Sequence, residues 1–248
     1  MAIVRARLGA YARWQLRDFI LGPGGITIGI VLLQIWITSR TQVIESGVGP
    51  PRTPSLDWLV QLVGLLGSIY ATSSLVSEDR ARGYYRFLFA KPVGPVRYYA
   101  QAFALRGVVL LVLAALISLL GAWIAHPVPL LGAVAYTAVM YVFAGGVTAC
   151  QSTLWRFAWV GSLVLYLASI PVAQLAAPDA PIGPVAHALW RAAHVILPPF
   201  SQQTFLHGML ASAPPWGDIA GSIAWCVGYG LIALVAGAFV IRGLEWAR

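Results

Sequence analysis

Gly107-Val-Val-Leu-Leu-Val-Leu-Ala-Ala-Leu-Ile-Ser-Leu-Leu-Gly-Ala-Trp-Ile-Ala125, then His126-Pro127-Val128-Pro129, then Leu130-Leu-Gly-Ala-Val-Ala-Tyr-Thr-Ala-Val-Met-Tyr-Val-Phe-Ala-Gly-Gly-Val-Thr-Ala-Cys-Gln-Ser-Thr-Leu-Trp155 is the stretch that decides the fold. No Asp, Glu, Lys or Arg falls between Arg106 and Arg156. A helix crosses the hydrocarbon core of a bilayer in about 20 residues. The stretch therefore holds two crossings, and its two prolines break the helix between them. Working outward, the uncharged runs Phe19 to Ser39, Trp58 to Ser77, Phe157 to Pro178 and Ile219 to Ile241 each reach spanning length. The expected fold is all-α and integral to the membrane, with six spans in a single domain over residues 1–248.

Composition agrees with that reading. The chain is 59% hydrophobic and 10% charged, with a mean hydropathy of +0.79, whereas soluble domains carry about 25% charged residues. The net charge of +8 does not imply nucleic acid, because its distribution is topological. With six spans, Arg5, Arg7, Arg13, Arg17, Arg80, Arg82, Arg86, Lys91, Arg97, Arg106, Arg156, Arg242 and Arg248 share one side. Only Arg40, Arg52 and Arg191 fall on the other, which makes thirteen against three of the 16 cations. That bias places both termini in the cytoplasm. Cys150 and Cys226 lie inside apolar runs, with neither a disulfide framework nor zinc spacing.

Residues 1–20 are expected to form an interfacial helix rather than a signal peptide, since arginines continue to Arg17 and no small-residue cleavage site follows a short apolar core. Val4, Leu8, Tyr11 and Phe19 fall on one side of such a helix, and Arg5, Arg13 and Arg17 on the other. That pattern suits a helix lying on anionic headgroups; the plainer reading is a frayed basic tail. Gly22-Pro23-Gly24-Gly25 then turns the chain into the first span.

The most informative connection is residues 78–97. Ser77 can cap a new helix, with Glu78 and Asp79 at its positive dipole end. Glu78, Arg82 and Arg86 recur at four-residue spacing and share a face, while Ala81, Tyr84, Tyr85 and Leu88 recur on another. Pro92 disfavours helix at Lys91, and Pro95 delays its return. The expectation is a helix of about three turns held between the second and third spans. A solvated loop explains the arginines alone. It does not explain Tyr84, Tyr85, Phe87, Leu88 and Phe89 among them, since aromatic residues mixed with arginine are typical of interface anchors. On the opposite side, residues 179–218 read as two short helices, Ala186 to Leu197 and Phe200 to Ala211, each too short to span. They are expected to form a re-entrant or interfacial hairpin.

Chemistry of its own is hard to find in this chain. The span centres hold no Asp or Glu, which coupled transporters commonly use. Gln34, Gln61, Tyr136 and Gln174 are polar residues that either line a path or link helices. Arg106 is the one charge within a span, near its cytoplasmic end, where its stem can snorkel. A P-loop needs a Gly-rich turn before Lys, and the only lysine, Lys91, precedes Pro92. His187, His194 and His207 gather in the outer segment without tight metal-ligand spacing, so hydrogen bonding suits them better than a metal or haem iron. No resident cofactor is expected.

These features together resemble the ABC-2 type permeases, the membrane subunits of type V ABC exporters. The local resemblance is carried by Ser77-Glu78-Asp79-Arg80-Ala81-Arg82-Gly83, then Phe87-Leu88-Phe89-Ala90-Lys91-Pro92-Val93, then Tyr98-Tyr99. The order of elements extends it over nearly the whole chain. One departure is Gly83-Tyr84-Tyr85-Arg86, where many members carry Gly-Thr and acidic or amide residues; it implies a partner with an acidic groove. The resemblance implies that Glu78, Asp79, Arg82, Gly83, Tyr84, Tyr85, Arg86, Phe87, Leu88 and Lys91 form a coupling helix seated in a separate ATPase subunit that binds ATP and Mg. It further implies a second permease copy, identical or homologous, a bacterial cytoplasmic membrane and an outer hairpin acting as gate. Rival classes are an integral membrane enzyme acting on lipid and a non-transporting assembly subunit. The enzyme would need clustered acids or a nucleophile–base pair, and Glu78-Asp79 is the only acidic pair.

Overall fold

The computed structural model describes residues 2–45, 56–81, 83, 94–124, 128–177, 179 and 183–246; side-chain surroundings are described for most of these. All regular structure among them is helical. We label the elements α1 (Ala2–Leu21), α2 (Pro23–Glu45), α3 (Asp57–Ala81), α4 (Pro95–Ile124), α5 (Leu130–Leu154), α6 (Ala158–Ala176), α7 (Pro184–Ile196) and α8 (Trp216–Trp246). Five of them, α3, α4, α5, α6 and α8, are long and apolar enough to cross a membrane. The count rises to six if Tyr11–Leu21 and Gly24–Gln34, bent by 45° from each other, form one broken span. This is the architecture of a multi-pass helical membrane protein.

The bend sits at Gly22, where the sequence predicts the break. A Cβ on Gly24 would meet the Phe19 ring at 2.8 Å, and one on Gly25 would meet the Ile20 carbonyl. Glycine therefore lets α2 leave α1 at a sharp angle. α4 ends at Ile124, and its Ser118 Oγ donates to the Val128 carbonyl at 2.6 Å, just before α5 begins.

α3 and α5 are the most buried spans, whereas α4, α6 and α8 present most of their surface outward. Lipid is as apolar as leucine, so burial alone does not bring such helices together. Close backbone approach at small residues does. Gly146 in α5 abuts the Gly230 backbone in α8, and a Cβ on Gly230 would strike the Val142 carbonyl and the Phe143 backbone. Gly64 in α3 accommodates the Tyr136 ring of α5, and Gly107 in α4 accommodates the Tyr141 ring. Each central helix also contains one π turn, Val63–Gly67 in α3 and Tyr141–Gly145 in α5, and the two turns pack together.

The segment between α6 and α8, expected as a re-entrant or interfacial hairpin, has two unlike halves. α7 packs on α6, with Val185, Leu189 and Ile196 turned outward. Its successor, a run of short helical turns from Phe200 to Leu210, goes into the bundle instead. Phe200, Leu206, Met209 and Leu210 are buried, and the Met209 carbonyl presses on Gly132 of α5.

Candidate functional site at the Ser77 end of the bundle

α3 is interrupted before it ends. Its regular hydrogen bonding stops at Ser73, Leu75 N–H bonds the Thr72 carbonyl at 3.1 Å instead of the one before it, and helix resumes over Ser77–Ala81. The switch to a three-residue bond frees the Ala71 carbonyl inside the bundle. An unsatisfied carbonyl there costs about 1–3 kcal/mol. Arg106 of α4 supplies the missing donor, its guanidinium lying 2.6 Å from Ala71 O and 5.4 Å from the centroid of the Phe19 ring of α1. So Arg106 turns inward to join α1, α3 and α4, where sequence alone suggests a snorkelling side chain. Next to it, the Tyr141 hydroxyl of α5 donates to the Phe103 carbonyl of α4 at 2.5 Å.

α1 lies against this joint. Tyr11 meets the Tyr98 ring edge-on at 6.1 Å, Gln15 Nε2 donates to the Tyr98 carbonyl at 3.4 Å, and Phe19 is buried. Arg13 and Arg17 are exposed on the other face, as the sequence pattern predicts; the side-chain placement of Arg5 is outside the described set. α1 is thus packed on α4 along one side.

The short helix after the break differs from its expected form in three ways. Ser77 is not an N-cap: its hydroxyl donates back to the Ser73 carbonyl at 3.2 Å, a bond that continues the preceding turn. The helix that starts at Ser77 is regular to Ala81 and does not continue through Gly83, which adopts φ +73 with its N–H bonded to the Arg80 carbonyl at 3.2 Å. Left-handed glycine just beyond the last turn is a helix stop. Pro95 does not delay the next helix but begins it, since proline has no N–H to miss in a first turn. Glu78 and Asp79 are half-buried on the short helix. Arg82, Tyr84, Tyr85, Arg86, Phe87, Leu88 and Lys91 lie outside the described residues.

Arg80 fastens this helix to α5, donating to the Thr153 carbonyl at 2.8 Å. Two cavities flank it. One, of about 600 Å³, lies between the start of α2, the broken part of α3 and Arg156. The other, of about 310 Å³, lies between Arg80 and the Ser152–Arg156 turn. They share Ser77, Ala81 and Arg156. Sequence reasoning overlooked Ser74 and Arg156; the signal available was a serine-rich α3 end paired with the charge that separates two apolar runs.

The polar residues considered for a path are not gathered there. Gln34 and Gln61 are half-buried on α2 and α3, and Gln174 is exposed on α6. Tyr136 is fully buried on α5 beside Gly64 and 6.0 Å from the His207 ring. His187, His194 and His207 have separate neighbours. His187 Nε2 lies 3.0 Å from the Ala177 carbonyl, and the His194 ring is 6.3 Å from Trp225. His207 Nε2 is buried without a hydrogen-bond partner. Burial holds the His207 pKa below the ordinary 6.5, with Asp57 opposing. Among the described residues no three His, Cys, Asp or Glu side chains come together as a metal site.

Compared with protein-family models, with curated proteins and with solved structures, the chain finds no match in any of the three.

Proposed function

We propose that this chain is the membrane-spanning permease subunit of an ABC transporter, working in export with a separate ATPase and a second permease copy in a bacterial cytoplasmic membrane. In that reading both termini and the Ser77 end face the cytoplasm, following the distribution of arginines. The observation that carries it is the break in α3 directly above a short charged helix, with Arg106 fastening the break to α1 and α4. A force applied at the short helix Ser77–Ala81 would reach the core through that joint. Arg80 gives a second attachment, to the end of α5. The absence of a P-loop from the sequence supports an outside source of energy. The Phe200–Leu210 segment closes the opposite end in this scheme.

The test is whether an ATPase subunit co-purifies with the full chain from its native membrane. Reversing Arg82 and Arg86 to Glu should abolish capture of that subunit while membrane insertion persists. Undiminished capture by the double variant refutes the docking role. ATP turnover by the purified chain alone would refute the division of labour.

A further inference from the structure

The two cavities at the Ser77 end have an amphiphilic lining that the permease reading does not use. The larger is bordered by Ile26 and Tyr70, which are 53% and 39% exposed on the flank of the bundle, at the surface that acyl chains cover. The rest of the lining is the buried Ser73 and Ser77 with Ser74, and the more open Glu78 and Arg156. Ser73 and Ser77 hydroxyls already donate to the Tyr70 and Ser73 carbonyls. Ser74 Oγ is buried and has no hydrogen-bond partner, which is costly unless a ligand supplies one. Arg156 sits in the turn after α5, exposed, and belongs to both cavities. The smaller cavity adds Arg80, one of whose donors is taken by Thr153. The joint lining therefore carries two guanidinium groups against one carboxylate.

A guanidinium is suited to phosphate because its planar fork matches two phosphate oxygens. An apolar flank leading to a hydroxyl and a guanidinium suits an amphiphile rather than a free ion. We propose that this double cavity binds the phosphate group of a membrane phospholipid. Arg156 holds the phosphate, Ser74 Oγ donates to it, and one acyl chain leaves between Ile26 and Tyr70. The site requires a phospholipid but no ATPase, so it stands or falls apart from the transport reading.

The experiment uses the full chain in detergent with phosphatidylglycerol carrying a photoreactive acyl chain, followed by mass mapping of the labelled peptides. Label should concentrate on peptides containing Ile26 and Tyr70. Arg156→Gln should reduce it about tenfold, the scale of one lost charge-assisted bond, while Arg156→Lys retains most of it. Arg242→Gln, at an exposed arginine of α8, should leave it unchanged. Ser74→Leu fills the cavity without altering its charge and should also lose the label, which covers the case of an Arg156 variant that does not fold. Equal labelling of wild type and both loss variants overturns the site. Displacement of the lipid by excess inorganic phosphate overturns the lipid assignment in favour of a simple anion site. Persistence of label under that excess supports it.

Discussion

The Arg106 guanidinium of α4 donates across 2.6 Å to the Ala71 carbonyl of α3, at the point where α3 gives up its own hydrogen bonding. A charged side chain within a spanning helix is expensive, and here it is placed where the backbone needs a donor and where the Phe19 ring covers it. The pairing makes the break in α3 stable and also makes it dependent on a neighbouring helix.

Arg106→Met should therefore lower stability by about 1–3 kcal/mol, the cost of a carbonyl left without a donor, and Arg106→Lys by less. Thermal unfolding of the detergent-solubilised protein measures this. An unchanged midpoint for the methionine variant would mean that the Ala71 carbonyl finds another donor.

Glycines in this bundle divide into those that carry contacts and those that do not. Gly230→Ala places a methyl group on the Val142 carbonyl, whereas Gly221→Ala meets nothing within 4 Å. The first should cost at least the roughly 1–3 kcal/mol of an overpacked core, and the second should be neutral or slightly stabilising. Unfolding midpoints that rank the two the other way would remove the α5–α8 contact from the account.

His207 gives a pH dependence of known sign. Its folded pKa lies below 6.5 because burial disfavours the charged ring, with Asp57 partly compensating. The folded protein then binds fewer protons than the unfolded chain, so the stability contribution is complete above 6.5 and is lost as pH falls through the lower folded value. Acidification should destabilise the wild type more than His207→Gln. Because the ring is only half-buried, the difference should be small; parallel pH profiles would show that His207 does not couple protonation to folding.

Topology is open to cysteine labelling on a background lacking Cys150 and Cys226. A cysteine at Ala192, exposed on α7, should react with an impermeant maleimide from outside the cell, and one at Phe87 only after the cells are opened. The opposite pattern would invert the orientation drawn from the arginines.

Much of the span layout was legible because charge and length dominate it: Arg106 and Arg156 bracket two crossings, and Pro127 and Pro129 divide them. The Gly22-Pro23 turn was legible for the same local reason. The break in α3 was not, since Ser73-Ser74-Leu75-Val76 contains neither glycine nor proline and the donor that permits it comes from Arg106, far along the chain. Gly83 was visible, but the four-residue spacing of Glu78, Arg82 and Arg86 argued for a helix running through it, and the left-handed conformation of Gly83 overrides that spacing at this one position. The depth of Phe200–Leu210 was equally hidden, because it depends on the bare backbone of Gly132 facing it from α5. Ser74 and Arg156 come to line one cavity only because the turn after α5 lies beside α3.

The contact between Gly132 and the Met209 carbonyl is backbone against backbone. With no side chain on α5 to act as a spacer, any residue larger than glycine at position 132 would push the Phe200–Leu210 turns off that helix, so their depth in the bundle hangs on one missing methyl group.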